Sequence, residues 1–176
     1  METEQAVGIF TKDSIVIHEE PDANRLFNSG WFGVIQNRRL SLSLVEALYL
    51  MEKGDITIKD NSGKQLTVKT FIKKAEKVDQ KFWIRYCVYA DIRKRGYITK
   101  TALKYGADFR VYERGAKPGT EHAKWVLYAV RESEKFNWRG FASMMRVAHS
   151  VRKTLLVGIV DDEGDVTYYT INWIRP

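Results

Sequence analysis

The chain has 176 residues, enough for one ordinary domain or two small ones, and its 44% hydrophobic and 12% aromatic content can fill a packed core. No run approaches the roughly 18 apolar residues needed to span a bilayer, the acidic, polar opening Met1-Glu2-Thr3-Glu4-Gln5 does not fit a signal peptide, and a single cysteine, Cys87, excludes an internal disulfide and a Cys-based zinc site. The net charge of +7 is uneven: residues 1–80 hold 11 Lys+Arg against 12 Asp+Glu, residues 81–176 hold 18 against 10, which points to a polyanion-facing module joined to a near-neutral one.

In chain order, residues 6–10 and 14–17 read as two short strands around the turn Thr11-Lys12-Asp13. Residues 21–29 read as a short helix stopped by Gly30, and the apolar segment 31–35 as a strand. Residues 42–53 form the best helix of the first half. Ser43 and Glu46 make a capping box, Leu44, Val45, Leu48 and Met51 share a stripe, and Gly54 ends it. Residues 56–58 and 66–68 read as strands flanking the turn Asn61-Ser62-Gly63, and residues 71–78 as a helix.

A longer helix is expected over residues 80–95, where Phe82, Trp83, Tyr86, Tyr89, Ala90 and Ile92 recur at helical spacing, with Gly96 as the stop. Cys87 lies among these apolar residues and reads as a core thiol. A short segment starts at Tyr97-Ile98. Residues 109–112 and 125–130 read as strands, separated by a loop containing Gly115, Pro118 and Gly119. Residues 138–151 read as a helix capped by Asn137, and residues 155–160 and 166–174 as a hairpin across Asp161-Asp162-Glu163-Gly164-Asp165. The expectation is an α+β protein of two small domains divided near residue 80. The first, residues 1–80, is a structural domain of helices with a small mixed sheet. The second, residues 81–176, is a catalytic domain with a mixed or antiparallel sheet flanked by helices.

The chemistry concentrates in the second half. Tyr105-Gly106-Ala107-Asp108-Phe109-Arg110-Val111-Tyr112-Glu113-Arg114-Gly115 precedes Glu121-His122, and Lys153 closes the run Arg146-Val147-Ala148-His149-Ser150-Val151-Arg152-Lys153. A phenol, an imidazole and an ammonium can together cleave RNA without a metal. No Asp/Glu/His cluster has metal-ligand spacing, and the acidic turn at 161–165 lacks the remaining oxygen ligands of a calcium loop. No cofactor is expected.

These motifs, in this order, resemble those of the archaeal tRNA-splicing endonuclease family. The upstream segment Ser41-Leu42-Ser43-Leu44-Val45-Glu46-Ala47-Leu48-Tyr49-Leu50 is similar to a helix of that family's N-terminal domain. The resemblance implies metal-independent cleavage of precursor tRNA at a bulge-helix-bulge, leaving a 2′,3′-cyclic phosphate and a 5′-hydroxyl. It implies Tyr112 as base, His122 as acid and Lys153 as electrostatic stabiliser. An imidazole, with an ordinary pKa near ~6.5, supplies a proton at neutral pH, and a phosphate nearby raises its protonated fraction. A phenol, ordinarily near ~10, is a poor base there. Tyr112 is therefore either a base tuned by Lys153 and neighbouring arginines or a group that orients the 2′-OH.

The family is thought to hold a flipped bulge base between two arginines, and Arg146 and Arg175 are the candidates here. The acidic turn, with Asp161, Asp162, Glu163 and Asp165, is similar to a family loop that inserts into a cleft of an opposing dimer. One chain carrying both this loop and the catalytic groups implies a homotetramer. The last strand, with Tyr168, Tyr169, Ile171 and Trp173, reads as too apolar for an unprotected edge. His149 shares a helix face with Arg146 and Lys153, and reads as packing that helix on the sheet. His18, beside Glu19 and Glu20, reads as a surface residue. The setting expected is the cytoplasm, with no membrane partner. Two other classes compete. One is a non-catalytic RNA-binding subunit of the same assembly. The other is a duplex-DNA-binding module built on the helix ending in Arg93-Lys94-Arg95.

Overall fold

The computed structural model describes residues 5–175. The chain divides into two compact units, Met1–Tyr86 and Cys87–Pro176, and is α+β throughout. Among the described residues there are two five-stranded sheets and five α-helices, and no helix is long and apolar enough to cross a membrane.

The first sheet holds β1 (Ala6–Phe10), β2 (Ser14–Ile17), β3 (Val34–Gln36), β4 (Arg39–Ser43) and β5 (Ile56–Lys59) in the order β3-β4-β2-β1-β5. The β1–β5 pair is parallel and the rest are antiparallel, so the sheet is mixed. Ile15, Ile17, Leu40, Leu42, Ile56 and Ile58 occupy alternate positions and are at most 2% exposed, the period-two burial that a one-sided sheet requires. Helices α1 (Glu20–Gly30), α2 (Leu44–Lys53) and α3 (Val68–Val78) complete this unit.

Glu46 ties α2 to the chain before it. Its carboxylate accepts from the Ser43 backbone N–H at 2.9 Å, the Ser43 hydroxyl at 2.7 Å and the Gly33 N–H at 2.9 Å. The first of these completes the expected capping box. Gly33 has φ of 63°, and a Cβ there would sit 2.5 Å from the Ser41 carbonyl oxygen, so only glycine fits.

Four local expectations for this unit are corrected. Residues 42 and 43 belong to β4 rather than to the helix. Leu40 and Leu42 are placed by sheet alternation, and Ser43 ends the strand while capping α2. Segment 31–35 becomes strand only at Val34. Trp31, not Gly30, stops α1: it takes the left-handed conformation at φ 59°, and its N–H donates to the Phe27 carbonyl at 2.6 Å. Residues 66–68 form no named strand. The Thr67 hydroxyl accepts from the Thr70 N–H at 3.2 Å and starts α3 at Val68.

The second unit carries most of α4 (Phe82–Lys94), ended by Gly96, and α5 (Trp138–Ser150), capped by Asn137 as expected. Its sheet holds β6 (Ile98–Thr101), β7 (Phe109–Tyr112), β8 (Trp125–Arg131), β9 (Thr154–Val160) and β10 (Val166–Ile171) in the order β10-β9-β8-β7-β6. The β8–β9 pair is parallel, joined by α5 as its crossover, and the others are antiparallel. One face of the sheet presents Val126, Tyr128, Val130, Leu155 and Val157 to a cluster with Ala148, Met144 and Met145 of α5. The opposite face meets α4, where the Tyr89 ring lies 5.7 Å from that of Phe109.

The last strand stops at Ile171 rather than 174. Ile171 pairs with Leu155, and β9 begins one residue earlier, so little ladder remains for Trp173 and Ile174. Cys87 is half-buried rather than fully in the core, and its burial pushes the thiol above its ordinary range.

Candidate active site

Strand β7 sets the site. Phe109 and Val111 turn to the α4 face and are at most 1% exposed, so alternation turns Arg110 and Tyr112 to the other. Tyr112 is 5% exposed, its ring packed with Ala116, Ala123 and Ile98. After it the chain leaves the sheet for residues 113–124. This loop is held by its own bonds: Thr120 and Glu121 N–H groups donate to the Lys117 carbonyl at 3.2 and 3.0 Å, and the Lys117 N–H donates to the Glu121 carboxylate at 2.9 Å. The Lys124 N–H then donates to the Val111 carbonyl at 2.9 Å, returning the loop to β7. His122, just before that return, is exposed.

Lys153 arrives from the opposite end of the sequence. At the end of α5 the Val151 N–H donates to the Val147 carbonyl, Arg152 takes φ of 54°, and the Lys153 N–H donates to the Ala148 carbonyl at 2.9 Å. A left-handed residue after a helix reverses the chain, and glycine is its usual occupant. This reversal aims Lys153 back at the loop, where its ammonium donates to the Ala123 carbonyl at 2.6 Å. Burial, and then the nearby Arg110 guanidinium, hold Lys153 below the ordinary lysine range.

Tyr112, His122 and Lys153 line one pocket of about 180 Å³ with Tyr105 and Arg110. Ala123, Val126 and Val151 complete its wall. Sequence reasoning passed over Arg110, although its place two residues before Tyr112 on a strand was legible. Tyr105, on a 3₁₀ turn at Leu103–Tyr105, carried no such signal. Lys153 also borders a wider cavity of about 770 Å³, lined in part by Lys124, His149, Arg152 and Trp173.

Arg146 and Arg175 are not in the small pocket. Arg146 lines a cavity of about 440 Å³ with Phe141, Met145, His149 and Trp173. The Arg175 guanidinium lies 5.6 Å from the Trp173 ring centroid, so Trp173 links the two arginines. His149 does not pack α5 on the sheet. It is exposed and meets the Trp173 ring edge-on at 5.1 Å, because Ala148 holds the buried position beside it. His18 is exposed, as expected.

At the hairpin tip, the Asp161 carboxylate accepts from the Asp165 N–H at 2.8 Å and shapes the turn, while Asp162, Glu163 and Asp165 are exposed. Among the described residues, no group of three or more His, Cys, Asp or Glu side chains is arranged to hold a metal ion.

Comparison with known proteins matches this arrangement to two family models. Residues 82–168 match "tRNA intron endonuclease, catalytic C-terminal domain", and residues 6–72 match "tRNA intron endonuclease, N-terminal domain". The chain is similar to a tRNA-splicing endonuclease of Methanothermobacter thermautotrophicus, 43% identical over 170 residues, covering 96% of this chain and 98% of the relative. It is also similar to one of Thermococcus onnurineus, 42% identical over 163 residues and 93% of each chain. A third, of Nanoarchaeum equitans, is 44% identical over 141 residues, covering 77% of this chain and 90% of that one. The chain belongs to the tRNA intron endonuclease family and is an endoribonuclease.

Proposed function

We propose that this endonuclease cuts precursor tRNA at bulge-helix-bulge intron boundaries by metal-independent general acid–base catalysis. The observation that carries the reading is the convergence of Tyr112, His122 and Lys153, from a strand, a loop and a helix end, on one pocket within the family's catalytic domain. Tyr112 takes or orients the proton of the 2′-OH. The 2′-oxygen bonds to phosphorus in line with the departing 5′-oxygen. His122 gives its proton to that oxygen as the P–O5′ bond breaks, and Lys153 offsets the charge growing on the phosphorane. The products are a 2′,3′-cyclic phosphate and a 5′-hydroxyl. Exposure suits His122 to regaining a proton from solvent, and burial suits Tyr112 to a fixed position.

In the same reading, residues 1–80 act as a structural domain and residues 81–176 as the nuclease. Arg146 and Arg175, near Trp173, grip an unstacked bulge base. Asp162, Glu163 and Asp165, displayed on a turn shaped by Asp161, serve as an assembly loop in a homotetramer working in the cytoplasm. The edge position of β10, with Tyr169 56% exposed, favours self-association.

The test is cleavage of a bulge-helix-bulge RNA in excess EDTA by the wild type and by His122→Ala. Cleavage with cyclic-phosphate ends, slowed about 100-fold or more in the variant, is expected. Tight binding without cleavage by the wild type would sink the reading in favour of a subunit awaiting a partner.

A further inference from the structure

The pocket holds one strong cation that the three-residue mechanism does not use. Arg110 shares a strand face with Tyr112, and its Nε is buried with no hydrogen-bond partner. Buried polar side chains nearly always have one. No ion pair engages Arg110 among the described residues. Within the pocket Arg110 also repels the Lys153 ammonium. The pocket lining contains no Asp or Glu that would offset this. Packing alone is poorly served by such an arrangement, whereas an anion entering the pocket would satisfy it.

We propose that Arg110 is a second anion-binding group of the active site, contacting the non-bridging oxygens of the scissile phosphate alongside Lys153; this rests on the pocket being the RNA-cleaving centre. The two cations divide the work by their chemistry. Lys153 has one of its three N–H donors committed to the Ala123 carbonyl, which fixes the ammonium against the His122 loop. Arg110 offers Nε–H and a neighbouring Nη–H as two parallel donors, the fork that matches two phosphate oxygens. Tyr112, two residues along the strand, is then set against the 2′-OH of the nucleotide whose phosphate Arg110 holds.

The test is single-turnover cleavage of a bulge-helix-bulge RNA, in excess EDTA and with protein in excess, by wild type, Arg110→Ala, Arg110→Lys and His122→Ala. Arg110→Ala is expected to be slowed about 100-fold, the order seen when one preorganised donor to a developing charge is removed. Arg110→Lys should recover part of the rate. Millimolar guanidinium chloride should accelerate Arg110→Ala and leave His122→Ala unchanged, which a merely structural arginine would not produce. Wild-type-like cleavage by Arg110→Ala, with His122→Ala inactive, would overturn the Arg110 assignment while leaving the function intact. A slowed Arg110→Ala that guanidinium does not rescue would also overturn it. Failure of the wild type to cut would overturn the reading of the pocket and Arg110's place in it together.

Discussion

Lys153→Met keeps the aliphatic stem of the side chain and removes only its charge. The ammonium is fixed by its 2.6 Å bond to the Ala123 carbonyl, so its distance from a phosphate in the pocket is set before substrate arrives. A unit charge about 4 Å from the phosphorane, at an effective dielectric constant near ~20, contributes about 4 kcal/mol. At about 1.4 kcal/mol per factor of ten, that is close to a thousandfold in rate. Arg110 and His122 share the pocket and offset part of the loss, so about 100-fold is the expected slowing. The assay is single-turnover cleavage in EDTA with protein in excess, which isolates the chemical step. The same residue sets a pH signature. Burial and Arg110 lower its pKa, so the stabilising charge is present below that value and lost as pH rises through it. The part of the alkaline fall in kcat/KM that comes from Lys153 should therefore begin below the ordinary lysine value of ~10.4, and Lys153→Met should lack that part while keeping the fall caused by loss of the His122 proton. A variant that cuts within fivefold of wild type would refute the electrostatic role.

Two further predictions concern stability. Glu46→Ala leaves the buried Gly33 N–H and the Ser43 N–H without their acceptor, at about 1–3 kcal/mol for each buried donor lost; a thermal midpoint lowered by about 5–15 °C is expected, with Glu46→Gln falling less, and an unchanged midpoint would contradict it. Arg152 adopts φ of 54°, a conformation that costs a residue with a Cβ about 1 kcal/mol. Arg152→Gly should raise the midpoint by about 2–4 °C in a melting scan, and a lowered midpoint would show that the Arg152 side chain contributes more than its backbone costs.

Much of the fold was legible locally. Helix α2 announced itself through Ser43, Glu46 and Gly54, and α5 through Asn137, because capping groups act on backbone three or four residues away. Strands β1, β2, β7, β8 and β9 followed from short apolar or alternating runs between turn residues. The errors fell where tertiary partners decided. Ser41-Leu42-Ser43 reads into the following helix by pattern, yet Leu40 and Leu42 pair with Ile17 and Ile15 of β2 and are drawn into a strand. Residues 172–174 continue the apolar character of β10 but run past the end of its partner strand.

The sequence by itself determined which side chains are available, and its motifs singled out Tyr112, His122 and Lys153 as the candidate catalytic set. It also placed the excess positive charge in the second half, since composition needs no coordinates. Only the tertiary structure decided that the three line one pocket. Tyr112 comes from β7 and His122 from a self-bonded loop, while Lys153 comes from a left-handed turn after α5, 41 positions beyond Tyr112. Proximity across such a separation depends on the sheet order that sets β8 between β7 and β9. The unpartnered Nε of Arg110 was hidden for the same reason. Whether a buried donor has an acceptor is a property of the neighbours that the fold brings to it, and not of its place in the chain.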